Sequence, residues 1–205
     1  MSLHLTQPVR LQSYSFERTR RLIRANNTRF LASCEGNGLA GELGPTLAAL
    51  ASPVRDRIAA CPVALADAHF DDAELWACAP HRDPLPVAGG PCDNAQRRAM
   101  REIVLLAWHF AQSGDQPGMM LLGMCEQSRL AVQGAELGEL EDIVARHCDS
   151  VRLRWADQSC FWKEMLRVAH LGDETAMDEL FLQALRMLPC VAHGVFMSGM
   201  QRPRN

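Results

Sequence analysis

The chain has almost no lysine: Lys163 stands alone against twenty arginines. That bias is characteristic of a GC-rich coding sequence and by itself implies no phosphate-binding role. No run approaches the ~18 consecutive apolar residues that a membrane span requires. The opening residues carry Gln7, Arg10 and Glu17 with no apolar stretch between them, unlike a secretory leader. These absences predict a cytoplasmic protein that does not enter a membrane. None of the eight cysteines forms a C-x-x-C pair, and most fall within apolar helical patterns. They read as reduced, buried small hydrophobes rather than as a disulfide framework.

Catalytic signatures are missing as well. The chain has no G-x-S-x-G elbow, no phosphate-cradling P-loop and no G-x-G-x-x-G fingerprint. Gly36, Gly38 and Gly41 lie close together, but no strand leads into them and no lysine follows. Cys78-x-x-His81 approaches zinc-ligand spacing, with Cys92 nearby and His147-Cys148 ahead of Cys160, yet no second close pair completes a tetrahedral set. Asp71-Asp72 reads as a helix cap before it reads as a carboxylate pair. The expectation is a protein without enzymatic activity, metal or cofactor.

At 205 residues with 48% hydrophobic and 22% charged residues, the composition is that of an ordinary globular protein. The net charge of −3 conceals an uneven distribution. Within residues 1–33, Arg10, Arg18, Arg20, Arg21, Arg24 and Arg29 face a single acid, Glu17. A second basic group, Arg152, Arg154, Lys163 and Arg167, lies near the other end. Clusters of this kind neutralise phosphates in non-specific DNA binding, and they equally make an ordinary solvated helix face. The arginines of the first group wind around their helix, with Arg20 and Arg24 sharing a side at i and i+4.

What the chain does have is self-similarity. Phe30-Leu31-Ala32-Ser33-Cys34-Glu35, with Leu39-Ala40, matches Leu121-Leu122-Gly123-Met124-Cys125-Glu126, with Leu130-Ala131. Further on Ile58 pairs with Ile143, Phe70 with Trp155 and Trp76 with Trp162. Such a repeat predicts two copies of one unit packed as an intramolecular pseudo-dimer.

Apolar spacing predicts helices over 16–33, from Ser52, from Asn94 to about Ser113, over Met119–Cys125 and Gly134–Cys148, from Asp157 or Ser159, and from Asp173 onward. Val151, Leu153 and Trp155 alternate with Arg152 and Arg154, as a short extended segment does. The predicted class is all-α, with minor extended pieces. The expected organisation is a first repeat at 1–78, a Pro/Gly-rich linker at 79–93, a second repeat with a C-terminal helix at 94–198, and a tail at 199–205. Trp76 and Trp162 belong in the core. Ten methionines, among them Met119, Met120 and Met124, suit adaptable packing or a groove.

Two stretches resemble one family. Leu105-Leu106-Ala107, Met119-Met120-Leu121-Leu122-Gly123, Leu137, Leu140, Ile143 and Leu153-Arg154-Trp155 follow the pattern of FlhD, the smaller subunit of the flagellar master transcriptional activator. Thr46-Leu47-Ala48-Ala49-Leu50, Pro53 and His69-Phe70-Asp71 resemble the same stretch at the same spacing. The resemblance covers about half of the chain. It implies an all-helical transcriptional regulator or regulator subunit, joined by an FlhC-like partner and bound to promoter DNA, in flagellar or motility control. This chain is nearly twice as long as that family's members, so the implication is a tandem version. The family's subunit-linking cysteine falls near Ala66 and Val151, where this chain has none. No DNA-contacting residue carries over by motif. Arg18, Arg20, Arg21, Arg24 and Arg29, with Arg152, Arg154, Lys163 and Arg167, are therefore the expected DNA or partner contacts. Homo-oligomerisation stays open. The alternative is a helical adaptor of a secretion or motility apparatus that contacts no DNA.

Overall fold

The computed structural model describes residues 7–34, 38–77 and 93–189. The chain is all-α. Helix α1 (Gln7–Ser33) is followed by a short 3-10 turn (Gly41–Leu43), α2 (Gly44–Ala48), α3 (Ser52–Ala59), strand β1 (Ala66–Asp67) and α4 (Ala73–Ala77). Then come α5 (Asn94–Ser113), α6 (Gln116–Leu121), α7 (Glu126–Gly134), α8 (Leu137–His147), β2 (Arg152–Leu153), α9 (Ser159–Leu171) and α10 (Glu174–Arg186). The linker expected at 79–93 lies outside the described residues except for Asp93, and the expected tail lies wholly outside them. The Cys78, His81 and Cys92 group lies outside them too.

Helix α1 runs for 27 residues, about 40 Å at 1.5 Å per residue, and begins nine residues before the expected Phe16. Pro8 stands in its first turn, where a missing N–H costs no helical hydrogen bond. One side of α1 buries Thr19, Ile23, Asn26, Asn27, Phe30 and Leu31. Asn27 fixes the chain after α3 to that side. Its amide nitrogen donates to the carbonyls of Ala59, Cys61 and Val63 at 3.3, 3.1 and 3.0 Å, and its oxygen accepts from Leu65 N at 2.8 Å. An asparagine is used here because loop backbone buried against a helix needs partners that no helix backbone can spare.

Helix α5 begins where Asp93 and Gln96 cap each other. Gln96 N donates to the Asp93 carboxylate at 2.7 Å, and Asp93 N donates to the Gln96 side chain at 3.2 Å. It ends on Gly114, whose φ of 65° is the left-handed conformation that glycine adopts without a Cβ penalty. The break expected from Gly114 to Gly118 is shorter than predicted. Asp115 accepts from Gly118 N at 3.0 Å, and Pro117 is accommodated in the first turn of α6. Gly118 lies flat on Phe110, and a Cβ there would fall 2.6 Å from the ring. The helix expected over Gly134–Cys148 is present as one helix but begins three residues later. Helix α7 occurs before it, capped by the Cys125 sulfur, and α8 starts at Leu137. Ser52 is the first residue of α3 and not its cap, a place that Ala51 takes.

The two strands are two residues each and pair antiparallel, Ala66 with Leu153 and Asp67 with Arg152. Backbone bonds extend the seam: Arg154 N to Leu65 O at 2.7 Å, Leu153 N to Leu39 O at 2.6 Å, and Ala64 N to Leu121 O at 3.2 Å. The seam thus joins segments from both halves of the sequence within one core, with Leu65, Ala66 and Leu153 fully buried or nearly so.

The same turn follows each strand. His69 and Trp155 both take positive φ, 53° and 56°. Asp72 N donates to His69 O at 3.0 Å, and Gln158 N donates to Trp155 O at 2.8 Å. A tryptophan within the next helix then bonds back to the backbone that precedes that helix: Trp76 Nε1 donates to His69 O at 2.9 Å, and Trp162 Nε1 donates to Arg154 O at 3.1 Å. In local conformation Trp155 therefore matches His69, one residue away from the expected match with Phe70. Both Trp76 and Trp162 are buried, as their apolar settings predicted. In each half the long helix packs on the helix before the strand, α1 on α3 and α5 on α8. Contacts also cross between halves, α3 against α9 and α4 against α7.

Candidate nucleic-acid and partner interface

All five arginines between Arg18 and Arg29 are exposed. The expected winding around α1 is corrected by what occupies the other half of the helix. Thr19, Ile23, Asn26, Asn27 and Phe30 take the packed side, so the arginines share the outward one. Several are already engaged. Arg29 Nε meets Glu102 at 2.8 Å, Arg20 reaches Glu17 at 3.8 Å, and Arg18 Nη2 lies 3.5 Å from His109 Nε2. Arg21 donates to the Glu17 carbonyl at 3.4 Å. Among the described residues Arg24 has no acidic partner.

The Arg29–Glu102 pair places the end of α1 beside the start of α5. The first turns of α5 carry exposed Arg97 and Arg98, and neither has an acidic partner among the described residues. Sequence reasoning passed over this pair. The signal was present in Gln96-Arg97-Arg98-Ala99-Met100-Arg101, but nothing local shows that it lies next to the basic end of another helix. Arg101 itself is held by Glu141 at 2.6 Å.

The second predicted group does not survive intact. Arg154 is 4% exposed and has no access to a phosphate. Its guanidinium donates to Ala64 O at 2.8 Å and Leu122 O at 2.9 Å and faces Asp67 at 3.3 Å. A buried guanidinium with this many acceptors is a structural clamp. Arg167 is gripped by Glu164 in two bonds of 2.6 and 2.9 Å, which hold the Glu164 carboxyl below its usual range. Arg152 and Lys163 are exposed. No dense basic surface results.

Helices α9 and α10 are joined through Gly172 and Asp173, with Asp173 accepting from Ala176 N at 3.0 Å. Two helices joined by so short a turn match the connectivity of a DNA-binding helix-turn-helix. The outer side of α10 instead exposes Glu174, Asp178 and Glu179, which repel a phosphate backbone. Any DNA contact from this chain is therefore better served by α1 and the start of α5.

A groove of about 560 Å³ opens where α1, α5 and α6 meet. Phe16, Leu22 and Pro117 form its apolar lining, and Arg18, His109 and Ser113 its polar edge. Asp115 lines it as well, its carboxylate accepting from Thr19 Oγ1 and Gly118 N.

Burial pushes the Cys34 and Cys61 thiols up to about 12, so neither supplies a thiolate near neutrality. Cys148, expected as a reduced core residue, is disulfide-bonded, and its partner lies outside the described residues. Asp72 accepts from Glu74 N and Leu75 N at 3.0 Å each, the capping role expected of it. Among the described residues no three His, Cys, Asp or Glu side chains converge as a metal site, and no helix is long and apolar enough to cross a membrane.

These features define an all-α protein with an exposed row of arginines on α1 and at the start of α5. No family model matches the chain, and no curated protein or solved structure matches it either.

Proposed function

We propose that the chain is a transcriptional regulator subunit of the FlhD type, with two copies of one helical unit fused into an intramolecular pseudo-dimer. The observation that carries this reading is the turn that recurs after each strand, at His69 to Trp76 and at Trp155 to Trp162, with the two strands paired to each other. Antiparallel pairing of like segments is what a two-fold arrangement of two units produces. In this reading the fused pair presents one basic surface to duplex DNA through Arg20, Arg21, Arg24, Arg97 and Arg98. An FlhC-like partner supplies the remaining contacts, in flagellar or motility gene control.

The test is a promoter shift assay with and without an FlhC-like partner. A shift that weakens with salt, and weakens again in the double variant Arg24→Glu, Arg98→Glu, supports the reading. No shift in either arrangement removes it. The acidic outer side of α10 and the exposed Leu171 and Leu182 favour a second reading, a helical adaptor that contacts no DNA. A pulldown that returns components of a secretion or motility apparatus, undiminished at high salt, would select that reading.

A further inference from the structure

The strand seam is two-fold in its backbone but not in its charge. His69 and Trp155 hold the same left-handed place after their strands, so Ala68 corresponds to Arg154, Asp67 to Leu153 and Ala66 to Arg152. The strand register agrees. A two-fold axis exchanges the pair Ala66 and Leu153 with the pair Asp67 and Arg152 under this correspondence. Within that frame Arg154 stands where the first half has Ala68, and both are buried. Asp67 stands where the second half has the buried Leu153. Across the seam the Arg154 guanidinium faces the Asp67 carboxylate at 3.3 Å, with side-chain exposures of 5% and 13%.

That ion pair forms only between unlike halves. Two second halves set against each other would bury two guanidinium groups, each opposite a leucine. Two first halves would set two carboxylates opposite alanines. The carbonyl acceptors of Arg154 do not discriminate in this way. Leu122 O belongs to the same half as Arg154, and Ala64 O has its counterpart in Ser150 O. Asp67 is therefore the group that tells an opposite half from a like one. A buried charge left without its partner is a strong means of rejecting a wrong association.

We propose that the seam is a charge-keyed interface: it joins a half with an acid at the Asp67 position to a half with arginine at the Arg154 position, and it refuses a copy of either. This inference rests on the two-unit reading above and adds the partner rule to it. The partner that the seam fits is a half of opposite charge, in the same chain or in another.

The test is co-expression of two differently tagged full chains, purification through both tags, and native mass spectrometry. Asp67→Arg and Arg154→Glu each set like charges across the seam of their own chain. Between the two variants the pairing is restored. The new arginine of one chain meets the new glutamate of the other, and the native pair forms at the second seam. The connection from Ala77 to Asp93 can reach about 55 Å, enough for two chains to exchange halves. The mixed variants should yield a complex of one chain of each kind. Its recovery should exceed by at least about tenfold that from two wild-type chains or from two Asp67→Arg chains. Recovery of the mixed complex decides the matter even where a single variant does not fold alone. Absence of that complex overturns the proposal, as does equal recovery from either control. Lost capture with an intact promoter shift removes the partner rule alone, and a failed shift with intact capture removes the DNA-binding reading alone.

Discussion

Replacing Arg154 with methionine tests how the two halves of the sequence are held together. The guanidinium is 4% exposed and reaches Ala64 O, Leu122 O and the Asp67 carboxylate. Methionine keeps much of the stem but strands two buried carbonyls and one nearly buried carboxylate. Each hydrogen bond from a charged donor contributes about 1.5–3 kcal/mol, and removing one partner of a buried pair costs about 3–5 kcal/mol. The contributions overlap in a single network, so the expected loss is about 3–5 kcal/mol, not their sum. For a chain of this size that corresponds to a fall of roughly 6–20 °C in Tm. Urea unfolding monitored by tryptophan fluorescence measures it. A cycle with Asp67→Asn separates the pair from the carbonyl bonds: coupling of about 1 kcal/mol or more is expected. A loss below about 1 kcal/mol in Arg154→Met would refute the clamp.

Asn27→Ala deletes four hydrogen bonds to the segment after α3 and should cost about 2–4 kcal/mol, read from the same unfolding curves. His147 lies 6.1 Å from the Trp76 ring, and burial is the main cause that lowers its pKa, with Arg146 adding to it. The unfolded chain then binds the proton more readily than the folded one. Stability should accordingly be full above about pH 6.5, fall as pH drops toward the lowered folded value, and level off below it. A His147→Gln variant should show a shallower decline over that window. Iodoacetamide at pH 8, followed by peptide mass spectrometry, should label exposed Cys160 in the folded protein and reach Cys34 and Cys61 only after denaturation.

Much of the helical framework was legible from residue order. The Asp93–Gln96 cap, the Asp173 cap and the glycine at 114 set the ends of their helices through bonds made within four residues. The break between α5 and α6 was over-read because Pro117 and Gly118 look disruptive, although proline is tolerated in a first turn and Gly118 is used for its closeness to Phe110. Helix α7 was missed because its cap is Cys125, an uncommon capping residue whose sulfur accepts weakly, at 3.5 Å from Ser128 N.

The candidate surface was only half legible. Arg20, Arg21 and Arg24 were visible as charge, but their common outward side follows from what α3, α5 and α6 cover. Arg97 and Arg98 join them only because α1 and α5 lie side by side. Arg154 was misjudged for the opposite reason: a charged residue beside a strand reads as exposed until its acceptors, 90 and 32 residues distant, are known.

The sequence by itself determined the helical class, both ends of α5, the start of α10, and the burial of Trp76 and Trp162, because capping and apolar periodicity act over a few residues. Only the tertiary structure decided which arginines face water, which one is consumed inside, and where the groove opens. Those outcomes depend on long-range packing: a side chain's exposure is set by whichever distant segment covers it, and no local spacing encodes that neighbour.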